Sequence, residues 1–352
     1  MIIYILLVLL ILLLPKLKIS KKIYCIIIGI SITLIVGFRD ISMGMNDTQL
    51  IYLPIFTKLS SLSILESCNY IKKNGLEFGF YILTRLYLLF TSNYRIYLII
   101  LAAISNFFIT RFIYKYSNNP SFSFILFFSL NYFSMEFTLL RHYIALAIII
   151  FSYDFIVDKK FFKFCITVII AAFFHKTAII FLIAYPLRYL KTGYKNLALM
   201  IFALLVSMTV GDKLLYIAVI LLKHKKYLRY LNSESNNLTF FLMNFLIYIY
   251  FFLGFKKNKK ELNYNILMNI YTIGICISTC TLFIGEAFRL STYFTIFSII
   301  ILPNIMELIK DNTTRKIFVF SFEVLLILYF FFFTMNNTCI YPYILGELNI
   351  LI

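Results

Sequence analysis

Arg95-Ile-Tyr-Leu-Ile-Ile-Leu-Ala-Ala-Ile-Ser-Asn-Phe-Phe-Ile-Thr-Arg-Phe-Ile-Tyr114 decides the fold. Between Arg95 and Arg111 it carries no charge, and its apolar residues point all round a helix instead of along one stripe. That is the pattern of a helix solvated by lipid or buried on every side. About 20 such residues cross the ~30 Å hydrocarbon core of a bilayer. The same pattern recurs along the chain at 1–14, 23–38, 121–135, 142–157, 161–174, 178–190, 196–210, 239–255, 265–284, 288–306 and 317–333. The composition agrees with it: of 352 residues, 62% are hydrophobic and 14% charged, and the mean hydropathy is +0.91. An ordinary soluble domain is about 25% charged. A water-soluble fold cannot hide this much apolar surface, which includes 40 Phe and 27 Tyr. Soluble, secreted, fibrous and disordered classes are excluded. The expectation is an all-α polytopic membrane protein of about twelve transmembrane helices, one integral domain over 1–352.

The net charge of +18 is scattered as Lys/Arg punctuation between the apolar runs, so it does not mark a nucleic-acid partner. It reads as the positive-inside pattern of a bilayer protein, with the lipids themselves as partners. If 15–22 is cytoplasmic and 77–91 does not cross, the same side collects Arg111, Lys115, 158–163, 188–195, 256–261 and 307–316. That is 19 of the 33 Lys and Arg. The run 77–91, with Arg85 in its middle, therefore reads as an interfacial or re-entrant helix inside an outer loop, 39–94. A second outer loop, 211–238, carries an amphipathic stretch over 213–231. Both ends of the chain then lie outside. The first run, Met1–Leu14, lacks a basic start and a small-residue cleavage site and reads as a retained anchor.

Under this topology the charges that interrupt apolar context gather on the outer side. Asp40 and Asp47 follow a span at once, together with Arg39 and two turn-permitting glycines, Gly37 and Gly44. A catalytic or substrate-orienting acid fits this spacing, and so does a helix cap with a local Arg39–Asp40 pair. Arg141-His142 opens a span. Arg141 suits a phosphate or carboxylate fork and equally a snorkelling anchor. His175-Lys176 falls at the turn of a helix hairpin, where a structural histidine is the alternative. Glu286 and Arg289, three residues apart, share a helix face and can pair with each other. Glu323, inside a span, reads either as a relay acid or as a buried neutral carboxyl. The six cysteines show no zinc or redox spacing, and Cys276/Cys280 read as packing. No Walker, dinucleotide, HExxH or nucleophile-elbow pattern is present. Neither a metal nor a cofactor is expected. The chemistry must use an already activated substrate, or else the protein transports something.

GFRDISMGMNDTQLIY (37–52) resembles the G-x-R-D…G-x-D-T…Y signature of the EpsG family, the Wzy-like polymerases of bacterial exopolysaccharide, capsule and O-antigen synthesis. Further elements follow in the family's order. They are Glu77-Phe-Gly79, Arg141-His-Tyr-Ile-Ala145, Phe161-Phe-Lys-Phe…Ala172-Phe-Phe-His175-Lys-Thr-Ala178, Arg289…Tyr293-Phe294 and Tyr341-Pro-Tyr343. His142 replaces the family's usual Gln, and Asn46 stands where a small or hydroxyl residue is common. The resemblance implies a glycosyltransferase in the bacterial cytoplasmic (inner) membrane, and a GT-C-like architecture is compatible with it. A growing glycan would leave undecaprenyl diphosphate at the outer face and join a sugar hydroxyl of the next lipid-linked repeat. Partners would include a flippase and a chain-length regulator. A diphosphate leaving group needs cationic clamps, which Arg141 and Arg289 can supply. The acceptor hydroxyl needs a carboxylate base: Asp47 first, Asp40 second and Glu77 third. His175 would contact a phosphate oxygen or orient the base. Arg39, Glu77, His142, Glu286 and Tyr293 would complete substrate binding. The rival readings are a flippase-type transporter of lipid-linked oligosaccharide, which would lack new bond formation, and an O-antigen ligase or an acyltransferase.

Overall fold

The computed structural model describes residues 1–45, 47–221, 238–255, 262–282 and 287–347. These are helical almost throughout, and their only β-type pairing is a single bridge between Arg39 and Leu345. In chain order the α-helices are α1 (Ile2–Leu13), α2 (Lys21–Gly37), α3 (Leu53–Ser61), α4 (Ile64–Asn74), α5 (Phe78–Leu88), α6 (Tyr94–Tyr116), α7 (Pro120–Ser129) and α8 (Tyr132–Met135). There follow α9 (Leu140–Val157), α10 (Phe161–Phe174), α11 (Ala184–Leu187), α12 (Tyr194–Leu221), α13 (Leu238–Phe255), α14 (Leu262–Thr279), α15 (Phe288–Thr295), α16 (Ser298–Met306), α17 (Asn312–Tyr329) and α18 (Met335–Asn337). Among the described residues, five helical stretches are long and apolar enough to cross a membrane: Tyr94–Tyr116, Leu140–Val157, Asn263–Leu282, Phe288–Met306 and Asn312–Asn337. The chain is a multi-pass membrane protein.

Hydrogen bonds between elements sort the loops into two ends of the bundle. At one end Tyr4 Oη donates to Ile340 O (2.6 Å), Gly346 N to Phe38 O (2.9 Å), Asp40 N to Ile344 O (2.8 Å) and Arg95 Nε to Glu347 O (2.9 Å). The start of α1, the end of α2, the start of α6 and the strap 339–347 therefore lie together. At the other end Lys21 Nζ donates to Ser117 O (2.6 Å), Ser121 Oγ to Ile11 O (3.1 Å) and Asn304 Nδ2 to Tyr116 O (2.8 Å). Arg111 and Lys115 there share the buried carboxylate of Asp154. The core between the ends is built by α2 on α6, α9 on α10 and α14 on α15.

Several spans differ from their sequence reading, each for a local reason. The run 178–190 is mostly a tight 3-10 helix, Lys176–Ile183, followed by one α turn. A 3-10 helix rises about 2.0 Å per residue against 1.5 Å for an α-helix, so these twelve residues reach about 22 Å. The run 121–135 breaks at Asn131, whose φ of 70° no helix accepts. α12 continues through Gly211 to Leu221, 28 residues in all, so the first part of the expected loop 211–238 prolongs a helix. A single interior glycine costs only about 1 kcal/mol and does not stop it. Residues 222–237 lie outside the described residues.

The segment 53–88 folds across the strap end. Ser63 and Glu66 form a reciprocal capping box at the start of α4, and Gly75 closes that helix in the left-handed conformation. Arg85 Nη1 donates to Leu59 O (2.7 Å) and Leu62 O (3.1 Å), satisfying carbonyls at the end of α3. α5 is eleven residues, about 16 Å, too short to cross. It packs Phe80 and Thr84 on Tyr97, in the first turn of α6, and Gly79 on the last turn of α10. A Cβ at Gly79 would stand 2.9 Å from the backbone of Phe173, so only glycine permits this approach.

The two-ended architecture predicts an asymmetry. In an otherwise cysteine-free chain held in sealed vesicles, an impermeant thiol reagent should label one of two positions, Cys339 or a Lys160→Cys substitution, before permeabilisation and the other only after. Labelling of both in intact vesicles would place them on one side and break the assignment of loops to ends.

Candidate active site

Glu77 caps the start of α5, Arg141 lies in the first turn of α9, and His175 ends α10. The three meet at the strap end. Arg141 Nη1 pairs with Glu77 Oε2, and His175 Nδ1 stands 3.3 Å from Glu77 Oε1. That separation is an ion-pair distance, but the angle is not that of a hydrogen bond. The Arg141 guanidinium lies over the Tyr52 ring, 5.5 Å from its centroid, a cation–π contact that holds its plane. Burial alone would raise the Glu77 carboxyl, and His175 with Arg141 brings it below its ordinary range.

Asp47 begins the short π-helical turn Thr48–Tyr52 and is half-buried. Burial raises its carboxyl above the usual aspartate value, while Arg289 and Arg141 both act on it in the opposite sense. Two guanidinium groups from distant helices, α9 and α15, thus lie close enough to act on one carboxylate from the loop after α2. Beneath this half-buried layer is a fully buried floor. His142 Nε2 is 2.9 Å from Thr292 Oγ1, its ring stands 4.7 Å from Tyr293 and 5.3 Å from His175, and Tyr293 Oη reaches Thr177 Oγ1 at 3.3 Å. Asp47, Glu77, Arg141, His142, His175, Arg289 and Tyr293 are therefore brought together.

Two expected site residues are placed elsewhere. The Asp40 carboxylate accepts from Ser42 N (2.9 Å) and Ser42 Oγ (2.5 Å), a turn-building pattern. Burial opposes it, but these Ser42 bonds and the Arg95 charge leave it below its ordinary value. Arg39 is not paired with Asp40. It is fully buried, and its terminal nitrogens reach Val36 O, Phe137 O and Thr48 Oγ1. A side chain closed off in this way does not touch a ligand at the membrane surface. Glu286 lies outside the described residues. The sequence reading quoted Tyr52 and Thr177 within family motifs but gave them no role, and it passed over Thr292, because hydroxyl and ring partners leave no charge signal. It also passed over Arg95, buried at the start of α6, whose guanidinium binds the Gly37, Arg39 and Glu347 carbonyls.

Residues 22–345 match the model of the EpsG family, and that stretch contains every residue of the cluster. The chain belongs to the EpsG family. This is a family of Wzy-like polysaccharide polymerases. No curated protein and no solved structure matches the chain. The EpsG match spans both halves of the bundle, so the cluster is assembled within a single family unit.

The Glu77–Arg141 pair has a definite pH signature. Because the folded-state carboxyl is held below its ordinary value, its stabilisation is complete above the unfolded glutamate pKa of about 4.3 and is lost as pH falls through the folded value. Glu77→Gln should lower stability at neutral pH by about 3 kcal/mol, since it leaves Arg141 without its counter-charge. Thermal melts between pH 7 and pH 3 check this. The wild type should lose stability relative to Glu77→Gln only at the acid end, and parallel profiles would show that the pair contributes nothing.

Proposed function

We propose that this EpsG-family protein polymerises undecaprenyl-diphosphate-linked oligosaccharide repeats by glycosyl transfer at the outer face of the cytoplasmic membrane. The observation that carries this reading is the convergence of Asp47, Arg141 and Arg289, with both guanidinium groups close enough to act on the one carboxylate. In the proposed step Asp47 takes the proton of an acceptor sugar hydroxyl. That oxygen attacks the anomeric carbon of the donor, and the bond from this carbon to the diphosphate oxygen breaks. The electron pair leaves with the diphosphate, whose charge Arg141 and Arg289 stabilise. No redox step or nucleotide is required, because the glycosyl diphosphate donor already carries a good leaving group at the anomeric carbon.

In this account Glu77 is not the base. Its carboxylate is engaged by Arg141 and His175, so its role is to hold the clamp in place. His142 and Tyr293 form the floor on which the clamp and base rest. The lipid tail has a route to the charges. α10, which ends at His175, exposes Ile166, Ile169, Ile170 and Phe173 along its length, a face suited to lipid. The reading includes twelve crossings, with α5 at the interface and the strap end outside. The opposite end carries Lys16, Lys18, Lys21, Lys22, Arg111, Lys115, Lys159 and Lys160, as the positive-inside rule requires of a cytoplasmic face.

Asp47→Asn keeps size and most hydrogen bonding and removes basicity. General-base loss costs about 10²- to 10⁴-fold. Cells carrying Asp47→Asn at normal protein levels should accumulate single lipid-linked repeats on the outer face and make little polymer. Repeats stranded on the inner face would instead indicate a transporter, and normal polymer would remove Asp47 from the reaction.

A further inference from the structure

Asp47 and Arg141 come from distant parts of the chain, and one buried side chain spans the gap between their supports. Arg39 Nη2 donates to Phe137 O at 2.9 Å and to Thr48 Oγ1 at 3.2 Å, while Nη1 donates to Val36 O at the end of α2. Thr48 Oγ1 in turn lies 3.3 Å from Phe137 O. Thr48 is the residue after Asp47, and Phe137 is in the turn four residues before Arg141. A second rung lies beside the first: Thr138 Oγ1 donates to Gly44 O at 3.1 Å. Loop and turn are in direct contact there, since a Cβ at Gly44 (φ 76°) would meet the Phe137 backbone at 2.9 Å. The Phe137 ring also covers the guanidinium, 5.3 Å away. Glu136, buried and accepting from Asn106 Nδ2 at 2.9 Å, lines the same small cavity as Arg39.

A guanidinium is a rigid planar fork of five donors, so one arginine fixes several oxygens at set angles, which the single ammonium of lysine does not. We infer that Arg39 is a positioning residue: by gripping Thr48 and Phe137 together it sets where the Asp47 carboxylate stands relative to the Arg141 guanidinium. This rests on the reading in which Asp47 is the base and Arg141 the clamp. Arg39 itself is wholly buried and meets no substrate.

A displacement of about 1 Å at a reacting group costs on the order of 10²-fold in rate. Arg39→Lys should therefore lower kcat about 10²-fold, with KM for the lipid-linked repeat within about 2-fold of wild type. Thr48→Val removes one rung of the tether and should lower kcat about tenfold, whereas Thr48→Ser keeps the hydroxyl and should restore it to within about 3-fold. A readout independent of the reaction accompanies the kinetics. Spin labels at Met45→Cys and Phe78→Cys, both exposed, report the spacing between the Asp47 loop and the start of α5. Their distance distribution should be narrow in the parent and in Thr48→Ser, and broader in Thr48→Val. Unchanged distances and kcat in Thr48→Val would overturn the inference, as would an effect confined to KM. Broadened distances in Thr48→Val, with no polymer even from the wild type, would uphold the tether and overturn the proposed reaction instead.

Discussion

The ion pair between Glu77 and Arg141 joins the loop helices at the strap end to the membrane-embedded bundle. Charges removed from water are tolerated only where geometry and further partners compensate their desolvation. Here Arg141 has the Tyr52 ring on its face and Glu77 has His175 beside it, so three helices and one loop converge on a single pair. The close approach of Gly79 to Phe173 brings α5 near enough for the pair to form. Breaking the pair would free the start of α5.

Around this pair the polar groups separate into two layers with different work. The half-buried layer of Asp47, Arg141, His175 and Arg289 keeps its polar groups partly open to the surroundings. The fully buried layer, with His142, Thr292, Tyr293 and Arg39, spends its hydrogen bonds on neighbours and holds the first layer still. Polymerisation at a lipid boundary suits that division. In the proposed reaction the donor would arrive with its leaving group attached and its tail in the bilayer, so the protein would need orientation and charge stabilisation more than intrinsic reactivity.

Much of the fold can be read from the sequence because lipid solvation leaves a coarse mark: unbroken apolar runs separated by lysine. Asp47, Glu77, Arg141, His175 and Arg289 were legible as charges next to such runs, in the order of a family signature. What was not legible depended on the backbone. Arg39 and Arg95 look like surface charges in sequence, yet they are buried and bind carbonyl oxygens, partners that carry no residue identity. The 3-10 course of Lys176–Ile183 and the break at Asn131 are matters of local dihedral angle, which apolar periodicity does not encode. The length of α12 escaped because a lone Gly211 resembles a boundary and does not act as one.

The central claim is that this chain makes glycosidic bonds from lipid-linked repeats alone. Purified wild-type protein in lipid vesicles, supplied with undecaprenyl-diphosphate-linked repeats and no nucleotide sugar or ATP, tests it most directly. The account predicts a ladder of glycans longer than one repeat, with one undecaprenyl diphosphate released for each bond formed. Substrate bound by the protein but never extended beyond a single repeat would contradict it.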